Sequence, residues 1–215
     1  MTFGFSGLRQ IFAIVSVTIV AAISSSPADA AGKKVSVDFG KPAGTIVIVN
    51  NERKLYLVTG KGKALMYPIA IGKKSQVWTG TTRISKKVVN PQWLNPDDPL
   101  AEIVPGGPGN PLGERALYLG STLYRIHGTP AAWSIGAAVS NGCIRMHNRD
   151  VKDLYKRVGV GTRVVAVNSR GAMAASKGAP KPVNMALYLK DKAKKKKAAL
   201  AKLRKAKKSS VAFVN

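Results

Sequence analysis

The chain has 215 residues, of which 35 are Lys or Arg and 10 are Asp or Glu, giving a formal charge of +25. That length provides one domain with a real core and little more, and so basic a chain has anionic partners. A single cysteine, Cys143, rules out an internal disulfide framework and leaves too few ligands for a structural zinc site.

Residues 1–30 read as a secretory leader. Arg9 supplies one positive charge, Ile11–Ile23 is an apolar or small-residue run, and Ala28-Asp29-Ala30 offers a small-x-small cleavage site. The run is short of the roughly 20 residues a membrane span needs. An exported chain, placed in the periplasm or cell-wall compartment, has little access to nucleic acid despite its charge. Its anionic partners are then wall polymers, lipopolysaccharide and membrane surfaces. Residues 31–43 are expected to be a short linker.

Thr45–Asn50, Lys54–Thr59 and Ala64–Ala70 are β-rich runs separated by turn-forming clusters at Asn50–Arg53 and Gly60–Lys63. Thr79–Lys87 reads as a fourth strand. Asn90–Arg115 then holds six prolines and four glycines, the composition of a long functional loop. Strand signals return at Ala116–Gly120 and Leu123–His127. Asn148 is placed to cap a helix through about Val158, with Val151, Leu154, Tyr155 and Val158 on one apolar face. Thr162–Asn168 reads as a closing strand. The expectation is a mainly β domain over 44–168, followed by a basic, disordered tail over 169–215. From Lys177 onward the tail carries 13 basic residues and one acid.

The chemistry concentrates in His127–Asp150. A thiol attacks only as thiolate, so Cys143 needs a base or a nearby cation. Both histidines of the chain, His127 and His147, lie in this segment. His127 ends a predicted strand and is expected at the domain rim, followed by Gly128. Gly142 permits a positive φ, so that the Gly142 and Cys143 amides can face an oxyanion. Arg145 shares a face with Cys143 if the segment is extended, where it can hold a substrate carboxylate or form a structural ion pair. An extended Cys143–His147 puts those two side chains about 13 Å apart, which favours His127 as the base. A helical stretch would bring His147 into reach instead.

Ile126-His127-Gly128-Thr129, Ile135-Gly136 and Ser140-x-Gly142-Cys143-Ile144-Arg145-Met146 together resemble the signature of L,D-transpeptidase (YkuD-type) catalytic domains. Trp93, Asn95-Pro96, Gly107-Pro108 and Asn110-Pro111-Leu112-Gly113 are similar to that family's substrate loop. The resemblance implies a β-rich, sandwich-like fold with the cysteine in a cleft. It implies an enzyme that cleaves the bond between diaminopimelate and the terminal D-alanine of a tetrapeptide stem and passes the acyl group to a second stem, giving a 3–3 cross-link. Exchange of the terminal D-amino acid, transfer to water or to an envelope protein are alternative outcomes. Carried over by position, Cys143 is the nucleophile, His127 the base, Gly142 and Cys143 the oxyanion donors, and Ser140 a loop support. Arg145, Gly128 and Trp93 fall on the substrate side. The resemblance implies neither cofactor nor metal. Asn141 stands where many members carry a second histidine, so a two-histidine mechanism does not transfer. A non-catalytic wall-binding protein and a wall endopeptidase are the competing readings, and the oligomeric state stays open.

Overall fold

The computed structural model describes residues 1, 32–95, 98, 100–173 and 193–205. Apart from Met1, the expected leader lies outside the described residues.

Eleven strands are described: β1 (Lys33–Ser36), β2 (Ile46–Val49), β3 (Lys54–Gly60), β4 (Lys63–Pro68), β5 (Ile71–Gly72), β6 (Gly80–Val89), β7 (Arg115–Leu119), β8 (Arg125–Thr129), β9 (Ala138–Ser140), β10 (Ile144–His147) and β11 (Arg163–Val167). One helix, α1 (Asn148–Arg157), lies between β10 and β11. Hydrogen bonding runs in the order β1-β4-β3-β2-β11-β6-β7-β8-β10. The ten-residue β6 divides this array in two. Its first part, Gly80–Arg83, pairs with β11, and its second, Ile84–Val89, pairs with β7. A register shift between Ile84 and Lys86 marks the break, where an extra residue bends a strand and sharpens its twist.

The two halves share one core. Ile46, Ile48, Leu55, Leu57 and Tyr67 from the first half meet Leu117, Leu119, Ile126, Ile144 and Met146 from the second. Val151, Leu154 and Val158 extend it from α1. The opposite face of the first half is also covered: Val47, Val49, Tyr56, Val165 and Val167 pack with Phe39, Val35 and Val37. That double burial explains why β2 reads as an unbroken Ile-Val-Ile-Val run rather than an alternation.

Several expectations change in detail. Residues 33–36, inside the stretch read as a linker, form β1 and pair with β4. Asn148 does not cap α1; it is the first helical residue, and its side chain instead accepts the Glu114 N–H at 3.3 Å. The far end of α1 is capped by a cation, with Lys87 Nζ donating to the carbonyls of Tyr155 and Val158 at 2.7 and 2.6 Å. In the tail, residues 193–205 are helical. Their Ala, Leu, Lys and Arg are all strong helix formers, which outweighs the lysine repulsion.

Candidate active site

The outer face of the second half-sheet carries the candidate residues. β10 runs parallel to β8, with Ile144 beside Ile126 and Arg145 beside His127. Ile126, Ile144 and Met146 point into the core. By alternation, Arg125, His127, Arg145 and His147 project from the other face. Extending the register back one position sets Cys143 next to Arg125 and one pleat from His127, on the same side. The outer edge of β10 is sealed by Ala70, which exchanges two 2.9 Å backbone hydrogen bonds with Arg145.

The turn carrying Cys143 is held from every side. Ser140 Oγ, buried with its residue, donates to the Cys143 carbonyl at 2.6 Å and accepts the Gly142 N–H at 3.1 Å. Trp78 Nε1 donates to the Gly142 carbonyl at 3.1 Å, and the Trp78 and Tyr124 rings stack at 5.5 Å. Gly142 has φ +108, and a Cβ there would meet Tyr124 Cε1 at 2.4 Å. Only glycine fits both the angle and the space. Without a substrate, the Gly142 N–H is engaged by Ser140 Oγ. Ser140 Oγ thereby ties Gly142 to Cys143 across the turn. The phenol of Tyr124 feels the charge of Cys143; burial first, then that charge, pushes its pKa upward and keeps its hydroxyl protonated.

His127 lies within a strand and is 3% exposed, not at a rim. The Pro/Gly-rich loop folds over it, bringing the Leu112 carbonyl against the ring. Nδ1 lies 2.6 Å from the Gly128 carbonyl. A carbonyl only accepts, so Nδ1 carries the proton and Nε2 keeps its lone pair. Burial, and then the charges of Arg145 and Arg125, push the ring down to about 4 against the lesser support of the Gly128 and Leu112 carbonyls. The imidazole is thus neutral at pH 7. The Cys143 thiol donates to the Leu123 carbonyl at 3.8 Å rather than to His127.

Gly128 faces α1. It is buried, and a Cβ there would lie 2.1 Å from Asn148 Oδ1. Its lack of a side chain admits Asn148, and its carbonyl meets His127 Nδ1. Trp93 is half-buried in the long loop, where its backbone exchanges two hydrogen bonds with Val104 at 3.0 and 2.8 Å. Arg145 has no carboxylate partner among the described residues. His147 ends β10 and lines a separate cleft with Thr129, Pro130, Ala132, Asn148 and Arg149.

Arg125 is a residue the motif reading missed. Its Nη1 donates to the Leu123 carbonyl at 3.1 Å, the acceptor that the Cys143 thiol also uses. Its guanidinium lies 4.7 Å from the Tyr118 ring centroid, and its Nε is buried with no hydrogen-bond partner. The signal was available: in an extended segment Arg125 must share a face with His127.

A two-part β fold with a lone cysteine on the turn into β10 and a buried neutral histidine on the parallel strand β8 defines the class of site. Residues 44–165 match the family model of the L,D-transpeptidase catalytic domain, and the chain belongs to that family. It is 41% identical over 132 residues to the probable L,D-transpeptidase YbiS of Escherichia coli K12, an alignment covering 55% of this chain and 43% of that one. It is 36% identical over 131 residues to the putative L,D-transpeptidase YqjB of Bacillus subtilis 168, covering 58% and 72%. The chain thus spans less than half the length of YbiS. Among solved structures, the Ldtfm-avibactam carbamoyl enzyme matches with a TM-score of 0.50 at 18% identity, covering 60% of this chain and 50% of that one, a likeness of fold.

Proposed function

We propose that this chain is an exported peptidoglycan L,D-transpeptidase working through a cysteine acyl-enzyme. The observation that carries the reading is the neutral, buried His127, its Nδ1 held by the Gly128 carbonyl, one pleat from Cys143 on a clamped turn. In the first half-reaction Cys143 Sγ attacks the carbonyl carbon of the diaminopimelate–D-alanine bond. The S–C bond forms as the C–N bond breaks, and the thiol proton passes through His127 Nε2 to the departing amine of D-alanine. In the second, the side-chain amine of another stem attacks the thioester carbonyl, loses its proton through His127, and releases the thiol. Hydrogen bonds of this kind commonly close only once substrate is bound. The Cys143 amide and the Tyr124 hydroxyl are the donors we assign to the tetrahedral oxyanion. Arg125 and Arg145, cations flanking His127, are the groups we assign to stem carboxylates.

Residues 1–30 act as the export signal in this reading, residues 44–168 as the catalytic domain with β1 added to its sheet, and the basic tail as a tether to anionic envelope polymers. The decisive experiment incubates the mature chain with purified muropeptides and reads cross-linked products by mass spectrometry. Cys143→Ala is expected to fold and to make none, and Cys143→Ser to be nearly inactive because an alcohol is far harder to deprotonate. Normal product from Cys143→Ala would end this proposal.

A further inference from the structure

Trp133 is 82% exposed, unusual for the largest apolar side chain. It does not sit on a loose tip. It occupies the middle of the turn Ala132–Ser134, where Ser134 is fully buried and its Oγ donates to the Ala131 carbonyl at 2.7 Å. The backbone continues the constraint, with Ser134 N–H on the Ala131 carbonyl at 3.0 Å and Gly136 N–H on that of Ile69 at 3.0 Å. A flat indole is therefore presented to solvent on a stiff mount.

Beside that turn opens a cleft of about 460 Å³. Pro130 and Ala132 give it an apolar side, and His147 and Arg149 give it hydrogen-bond donors. The Arg149 guanidinium is largely exposed, and its ion pair with Asp150 is long at 3.6 Å. An apolar wall with polar donors at its edge matches a pyranose ring, whose C–H face is apolar and whose rim carries hydroxyl and acetamido groups.

The spacing from the nucleophile fits the same ligand. Cys143, Arg145 and His147 form one stripe along the outer face, and four strand residues span about 13 Å. In the proposed reaction three stem residues lie between the scissile bond and the sugar. Extended, they reach about 10–11 Å. A stem laid along this stripe, with Arg145 midway, brings its sugar to the cleft beside Trp133.

We infer that Trp133 and the cleft of Thr129, His147 and Arg149 form a subsite for the glycan strand, so that the enzyme reads the sugar as well as the peptide of its donor. The inference rests on the transpeptidase reading for its choice of substrate. Its test compares two donors that share one tetrapeptide, one free and one attached to the N-acetylglucosaminyl–N-acetylmuramyl disaccharide. The parent is expected to prefer the disaccharide donor in kcat/KM. Trp133→Ala should raise KM for that donor on the order of tenfold, with turnover of the free peptide and β-lactam acylation of Cys143 unchanged. Trp133→Tyr should restore most of the difference by keeping a stacking face, and Arg149→Ala should weaken the same donor alone. Binding of stem-free disaccharide to Cys143→Ala, followed by calorimetry with and without Trp133→Ala, reads the subsite without chemistry. If the chain acylates nothing yet binds the disaccharide through Trp133, the activity reading falls and the subsite stands. Equal KM changes for both donors, no preference in the parent, or disaccharide binding indifferent to Trp133→Ala each overturn it.

Discussion

His127 is buried deeply enough that its imidazole is pushed down to about 4, with Arg145 and Arg125 adding to the effect of burial. An unfolded histidine titrates near 6.5. Between those values the unfolded chain takes up a proton that the folded chain refuses. This contribution to stability is therefore complete above about pH 6.5 and lost progressively as pH falls toward 4, by up to about 3 kcal/mol. Urea midpoints of the parent and of His127→Gln, measured from pH 4 to 8, should diverge across that window only. A constant difference would mean the ring is solvated. The same ring predicts that the acid limb of β-lactam acylation falls near pH 4 rather than near 6.5, and that His127→Ala lowers the rate by about 10²–10⁴. His147→Ala should stay within a few-fold, since β10 is extended and holds His147 far from the sulfur. At Gly142 the prediction is steric. The Tyr124 ring stands where an alanine Cβ would go, so Gly142→Ala should cost about 1–3 kcal/mol in thermal unfolding and slow acylation of Cys143 as well. Unchanged unfolding and acylation would show that the clamp is slack.

At the scale of elements, the main strands and α1 were legible because each carries enough residues to show its period. The β3 and β4 runs, β11 and the apolar face of α1 match their expected places within a residue or two. What escaped the sequence is short or depends on a partner. β5 and β9 have two and three residues, too few for any periodicity, yet their parallel pairing sets Gly72 beside Ser140 and close against Gly142. Lys33–Ser36 has little apolar content of its own and is a strand only because β4 offers it an edge. Six prolines announced the long loop, but not that it roofs His127. That placement depends on Asn110, which is buried and donates Nδ2 to the Val104 and Pro105 carbonyls at 3.1 and 2.9 Å while accepting the Leu112 N–H at 2.8 Å. Asn110→Ala removes all three bonds and strands their partners, which should cost about 2–3 kcal/mol. Leu112 would lose its anchor over His127, so acylation should fall more than stability alone explains. Full acylation at the parent rate in a folded Asn110→Ala would separate the loop from the site.

For the whole molecule the governing quantity is charge. The described part of the tail, residues 193–205, carries seven basic residues and no acid, with its side chains exposed or nearly so. On a helix, Lys194, Lys196, Lys197, Lys202 and Arg204 point in widely different directions, and Leu200 and Leu203 are flanked by cations rather than gathered on a clean apolar face. Such a helix suits a polyanion that can surround or follow it better than the flat surface of a bilayer. None of the groups of the candidate site lies in the tail, so the tail and the site should act separately. A chain truncated after Ser176 is then expected to keep its turnover on soluble muropeptides while losing most of its binding to whole sacculi at low salt. Because exposed charges are screened over about 10 Å at 0.1 M ionic strength, the full chain should lose the same binding as salt rises, and the two forms should converge. Sedimentation of both forms with sacculi across a salt series measures this directly. If the full and truncated chains bind alike at every salt concentration, the sacculus is held by the catalytic domain and the tail has no tethering role.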